Sequence, residues 1–222
     1  MLAADIPLAR GLGSSSTAIV GGLVAANALT GNTVDRDTLL TMAIEIEGHP
    51  DNVTPALIGG LTLSYTRDGQ QAYLALPVGD ELRFVVAIPD FELSTSAARA
   101  VLPAEVPRAD AVFNSSRTAL LMYAMHHKRY DLLATAMEDR LHQPYRAPLV
   151  PGMEEAIAAG RRAHALGVAL SGAGPTLVAV TLEDHDGVAT ALQEAFACHG
   201  ISCTTQVLRA DMIGAVSVEP VL

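Results

Sequence analysis

The chain has 222 residues, half of them hydrophobic, with Lys+Arg at 14 against 24 Asp+Glu and a formal net charge of −10. That balance excludes the basic face a nucleic-acid binder needs. No apolar run reaches the roughly 18–20 residues that span a bilayer, and no basic n-region opens the chain as in a signal peptide. A cytoplasmic α/β protein of one large domain or two smaller ones is expected, with no nucleic-acid or membrane partner. Lys128 is the sole lysine, so the cations are nearly all arginines, side chains suited to a bidentate grip on carboxylate or phosphate. Cys198 and Cys203 have no second pair, which points to neither a disulfide framework nor a zinc site.

In chain order, Asp5-Ile6-Pro7 reads as the end of a strand entering a Gly/Ser loop, Gly11-Leu12-Gly13-Ser14-Ser15, and 16–29 reads as a buried helix stopped at Gly31-Asn32. A second helix spans 35–47, with Asp35 as its cap and Leu39, Leu40, Ala43, Ile44 and Ile46 on its apolar side. Gly48-His49-Pro50-Asp51-Asn52 breaks it and starts another, which Gly59-Gly60 ends. Residues 61–65 and 71–76 read as a hairpin about Asp68-Gly69. A domain boundary is placed near residue 80, dividing the chain into 1–80 and 81–222. Beyond it come a buried strand at 82–88, helices at 94–102, 110–127 and 130–140, and a proline-punctuated loop at 144–152. A helix at 153–165, strands at 168–170 and 176–181, a helix at 185–199 and a strand at 202–208 complete the chain. This order suggests a split βαβ sandwich for the second half.

Three groups could carry chemistry. The loop at 11–15 before an apolar helix leaves free N–H groups aimed at one spot, which suits an anion; the competing reading is a plain helix cap. It lacks the lysine of a P-loop, and the nearby cation is Arg10. Glu45-Ile46-Glu47-Gly48-His49-Pro50-Asp51-Asn52 reads either as capping of the next helix or as a site for Mg²⁺ and a substrate hydroxyl, since hard cations take carboxylate oxygens. Thr95 and Arg99, one helical turn apart, together with Arg146 between Pro144 and Pro148, read either as solvated surface or as a grip on a small carboxylate. Ser171-Gly172-Ala173-Gly174-Pro175 adds a second glycine loop, otherwise a plain turn.

Together these motifs carry a resemblance. Pro7-x-x-x-Gly11-Leu12-Gly13-Ser14-Ser15 resembles the central ATP-binding motif of the GHMP kinases. The Glu45–Asn52 segment with Val53-x-Pro55-Ala56, then Leu93-Ser94-Thr95-x-x-x-Arg99, His142-Gln143-Pro144-Tyr145-Arg146 and Leu170-Ser171-Gly172-Ala173-Gly174-Pro175-Thr176 resemble homoserine kinases in particular. Mevalonate-type kinases lack the arginine pair in this context.

The resemblance implies the two-domain GHMP kinase fold, an α+β arrangement with a ribosomal-S5-domain-2-like N-terminal domain and a ferredoxin-like C-terminal one. It implies ATP- and Mg²⁺-dependent phosphorylation of L-homoserine to O-phospho-L-homoserine, on the route to threonine. By that likeness Pro7, Arg10, Gly11, Leu12, Gly13, Ser14, Ser15, Ser16, Gly172 and Gly174 would bind ATP, and Ser15 and Glu45 the metal, with Glu47 as the alternative. Asp51 and Asn52 would serve the acceptor hydroxyl, and His49, Thr95, Arg99 and Arg146 the substrate. The partners implied are this small molecule and, at most, a second copy of the chain. Homoserine kinases also carry an earlier segment, about a quarter of their length, which residues 1–6 do not supply. The chain is therefore expected to be a fragment or a truncated relative, with exposed sheet edges. The alternatives are a catalytically silent binding or regulatory domain and a GHMP kinase for another small alcohol such as mevalonate.

Overall fold

The computed structural model describes residues 4–218; the outermost residues of the two expected domains, 1–3 and 219–222, lie outside the described residues. Among the described residues, 13–78 and those from 210 onward form one unit, while 79–209 and those up to 12 form the other. No described helix is long and apolar enough to cross a membrane.

In the first unit, helix α1 (Ser14–Leu29) is apolar nearly all round, yet it buries only Ser16, Val20 and Asn27. The expectation of a buried helix is corrected here: a single stripe faces α2 (Arg36–Glu47) and α3 (Pro50–Ile58). Asn27 is spent on the turn that follows, its side-chain amide pairing with both backbone groups of Val34 at 2.9 and 3.0 Å. The Asp35 carboxylate caps α2 by accepting the Thr38 amide at 2.8 Å, as the i, i+3 spacing foretold. Leu39, Leu40, Ala43 and Ile44 then close on Val20, Val53 and Leu57, whereas Ile46, expected with them, is exposed because it is rotated about 200° from Ile44 on the helix. Strands β1 (Leu61–Arg67) and β2 (Gln70–Leu76) pair antiparallel about Asp68-Gly69, from Leu61 opposite Leu76 to Arg67 opposite Gln70.

The chain returns to this unit after residue 209. Arg36 donates to the carbonyls of Leu57, Ile213 (3.3 Å) and Ala215 (3.2 Å), and the Ala215 amide reaches the Ala56 carbonyl at 3.0 Å. One guanidinium thus satisfies a late carbonyl of α3 and holds the returning segment. Arg36→Ala is expected to destabilise this unit by about 1.5 kcal/mol and to speed amide exchange at Ala215. Unchanged exchange there would show that the clamp holds nothing.

The second unit is built on a four-stranded antiparallel sheet in the order β4-β5-β3-β6, from β3 (Arg83–Pro89), β4 (Gly167–Leu170), β5 (Leu177–Thr181) and β6 (Cys203–Leu208). Strands β3 and β4 both run antiparallel to β5 between them, so they are parallel to each other: the split βαβ expected from the element order. Between β3 and β4 lie α4 (Thr95–Ala100), α5 (Arg108–His126), α6 (Leu133–Ala136), α7 (Gln143–Arg146) and α8 (Met153–Arg162), and α9 (His185–Ala197) joins β5 to β6. The core gathers Val85 and Ala87 of β3, Ala156 of α8, Leu177 and Ala179 of β5, and Val188, Leu192 and Phe196 of α9.

Three local expectations are corrected. Residues 5–7 form no strand, because a strand exists only by pairing and no ladder reaches them among the described residues. The helix expected over 130–140 is a 3-10 turn, Tyr130–Leu132, and the short α6, after which the chain wraps around the Asp139 carboxylate. The loop expected over 144–152 begins as α7 and continues as a 3-10 turn, Ala147–Leu149; Pro144 opens the turn, where the missing N–H costs nothing.

Candidate active site

In the first unit, Gly13 adopts the left-handed conformation (φ 73°) as the cap of α1, and its carbonyl accepts the Thr17 amide at 2.9 Å. The amides of Ser14, Ser15 and Ser16 lie in the first turn, where no intrahelical acceptor exists, and the turn contains no acidic residue of its own. Such an end favours an anion. The hydroxyls beside it converge on one carboxylate: Ser15 Oγ donates to Glu47 at 3.0 Å and the buried Ser16 Oγ at 2.9 Å.

Glu45, the metal ligand taken from the resemblance, instead lies exposed on α2. Helix geometry is the reason: Glu47 follows Leu40, Ala43 and Ile44 at i+7, i+4 and i+3, whereas Glu45 is rotated about 200° from Glu47. That periodicity sets Glu47, and not Glu45, on the face of α2 that carries Leu40, Ala43 and Ile44. Among the described residues no three His, Cys, Asp or Glu side chains assemble into a metal cage. The carboxylate and hydroxyl oxygens of Glu47 and Ser15 are nonetheless the hard donors that Mg²⁺ takes, and Mg²⁺ is commonly held by one or two carboxylates plus substrate phosphates.

Gly48 ends α2, and His49 (φ −158°) turns the chain into α3 with Pro50 in its first turn. Among the described residues no side chain caps α3, so the capping reading of Asp51 and Asn52 does not hold. The Asp51 carboxylate pairs instead with His49 Nδ1 and is 71% exposed. Asn52 lies beside the glycine loop: a β-carbon on Gly13 would stand 3.9 Å from its Oδ1.

In the second unit, residues 9–12 lie against the other glycine loop. The Gly11 carbonyl accepts Ser171 Oγ at 2.8 Å, the Arg10 carbonyl the Thr176 amide at 3.3 Å and the Ala9 carbonyl the Leu93 amide at 3.1 Å. Gly11 has φ +74°, and a β-carbon there would sit 2.8 Å from both the backbone N and O of Gly174. Gly172 and Gly174 are thus packed against the loop they were grouped with, through Ser171, a contact that spacing alone does not reveal. Pro7 is exposed ahead of this segment. Leu12 ends it, half-buried. Arg10 is mostly buried, 3.7 Å from Asp90 and 4.0 Å from Glu92, and its Nη1 has no hydrogen-bond partner among the described residues.

Ser94 caps α4 by accepting the Ala97 amide at 3.1 Å, which leaves Thr95 and Arg99 exposed on that short helix. Arg146, at the end of α7, donates through Nε to the Ala98 carbonyl (3.1 Å) and through Nη1 to the Gly172 carbonyl (2.9 Å). Burial lowers its pKa from the ordinary guanidinium value; the Asp139 charge opposes this and the Arg99 charge adds to it, which places the two arginines within electrostatic reach of each other. Of the five donors of a guanidinium, two are spent on those carbonyls, so the rest remain for a ligand.

Residues 1–60 match the GHMP kinases N terminal domain and residues 121–200 the GHMP kinases C terminal family. A homoserine kinase of Carboxydothermus hydrogenoformans is 48% identical over 211 residues, covering 95% of this chain and 69% of its own length. One from Moorella thermoacetica is 50% identical over 215 residues, covering 96% and 72%. Among solved structures, the homoserine kinase of Cytophaga hutchinsonii superposes with a TM-score of 0.89 at 30% identity, over 95% of this chain and 69% of that one. The serine-rich helix start, the His-Pro-Asp-Asn break and the two joined glycine loops therefore sit in a chain that belongs to the homoserine kinase family of the GHMP kinases.

Proposed function

We propose that this chain transfers the γ-phosphoryl group of ATP to the hydroxyl of L-homoserine, giving O-phospho-L-homoserine. The observation that carries the reading is the open N-terminus of α1 with Ser15 and Ser16 bound to one carboxylate, Glu47: free amides for a phosphate beside hard oxygens for its cation. Gly13 to Ser16 would hold ATP phosphates, and Glu47 with Ser15 would hold Mg²⁺, which when bound neutralises charge on the phosphates. Gly11, Gly172 and Gly174 keep their backbones close enough that the loop segments stay in place. Thr95, Arg99 and Arg146 are assigned to the carboxylate of the amino acid. Residues up to about 80 are assigned to the ATP-binding domain and those from 81 to the C-terminal domain.

In the transfer, the homoserine oxygen bonds to the γ-phosphorus as the bond to the β,γ-bridging oxygen breaks, and ADP leaves with that electron pair. Asp51, steadied by His49, orients the hydroxyl and takes its proton, with Asn52 beside it. Asp51→Asn is expected to lower kcat about 10²-fold while leaving the homoserine KM nearly unchanged, read in a coupled ADP-release assay. An unaffected kcat would remove Asp51 from the chemistry. Turnover of mevalonate in preference to homoserine would overturn the substrate assignment.

A further inference from the structure

Asp139 has no part in the roles above, yet hydrogen bonds from two elements converge on it. Its carboxylate accepts the Asn114 side-chain amide of α5 at 2.6 Å and the backbone amides of Leu141 (2.9 Å), His142 (2.8 Å) and Gln143 (2.5 Å). The side chain is only 13% exposed. Burial by itself would raise its pKa, but hydrogen bonds from His142, Gln143, Asn114 and Leu141 outweigh it and hold the carboxyl well below the usual carboxylate range.

The neighbouring residues tie the same segment to α5. Asn114 Oδ1 accepts the Arg140 amide at 2.9 Å, Arg117 pairs with Glu138 at 2.9 Å, and the Arg117 and Arg140 guanidiniums lie 4.0 and 3.9 Å from the centre of the Phe113 ring. Downstream, α7 is a single turn, too short to hold its own shape. Its geometry is imposed at both ends. Asp139 gathers the amides that open it, Gln143 Oε1 accepts the Leu170 amide at 2.9 Å, and Arg146 closes it on Ala98 and Gly172.

We propose that Asp139 is a positioning residue for the substrate grip: anchored on Asn114, it fixes the turn that aims the Arg146 guanidinium and, through it, the Gly172 loop. The inference rests on the reading of Arg146 as a ligand of the homoserine carboxylate, and the test separates the two. Asp139→Asn keeps the shape and one acceptor oxygen but removes the charge. It is expected to raise the homoserine KM about tenfold with kcat little changed, and to speed amide exchange in 141–147 and 171–174 while β3 and α9 stay protected. Asn114→Ala, which leaves α7 untouched, moves both readouts the same way by less and decides the matter if D139N folds poorly. In an Arg146→Ala background, Asp139→Asn adds nothing further to KM. If R146A leaves KM unchanged, the grip reading fails; if R146A raises KM and D139N does not, or if faster exchange in D139N stops at 143, the positioning role is overturned.

Discussion

Glu47→Ala is expected to lower kcat about 10³-fold and to abolish the response of the rate to added Mg²⁺, whereas Glu45→Ala leaves both close to wild type. The contrast follows from placement on α2. Glu47 is half-buried and receives both serine hydroxyls beside the open end of α1, and Glu45 is exposed on another face of the same helix. A loss of that size, about 4 kcal/mol of transition-state stabilisation, is what one removed charge contact in a preorganised site supplies. Alanine also strips the acceptor from Ser16, a residue only 1% exposed, and an unsatisfied buried hydroxyl costs about 1–3 kcal/mol of stability. Glu47→Gln separates the effects, since its amide oxygen still accepts one serine while the charge is gone. If E47Q melts like wild type and keeps its rate and its Mg²⁺ response, the metal does not sit on Glu47. A collapse of activity in E45A alone would return the assignment to Glu45.

Gly11→Ala is expected to be the most damaging single-methyl change in the second unit. The left-handed backbone at Gly11 costs a side chain roughly 1–2 kcal/mol, and the added carbon would also press on the backbone of Gly174 at 2.8 Å, which cannot rotate away as a side chain could. The two together amount to about 3 kcal/mol or more, read as a lowered melting temperature, with a matching rise in the KM for ATP. Gly31→Ala provides the control: Gly31 has φ +83°, but its β-carbon would meet nothing within 4 Å, so it pays only the conformational part. Equal losses in the two variants would mean that the contact between the glycine loops contributes nothing.

Features whose chemistry is local were legible before any coordinates. The Asp35 cap, the turn at Asp68-Gly69, the apolar run of β3 and the breaks at Gly48 and Gly59 each depend on neighbours three or four residues away, and each is where it was expected. The likeness of the glycine loops, the His-Pro-Asp-Asn break and the arginine pair to homoserine kinases lay in the motifs and their order. Helical periodicity puts Glu47 and Glu45 on different faces of α2, but it does not say which face meets the serines.

Other features depend on partners far along the chain, and no local pattern encodes them. Residues 5–7 look like a strand but have no ladder among the described residues; 130–140 looks like a helix but turns around Asp139, because a carboxylate held by Asn114 25 residues earlier can collect amides that a helix would have used. Likewise, Ser171 meets Gly11 across 160 residues, and Arg146 reaches Ala98 and Gly172 at once. By itself, then, the sequence determined the helices and strands set by short-range capping and periodicity, and the family. Only the tertiary structure decided which carboxylate faces the serines and which residue holds Arg146, since burial and hydrogen-bond satisfaction act on the groups brought together in space, whatever their distance along the chain.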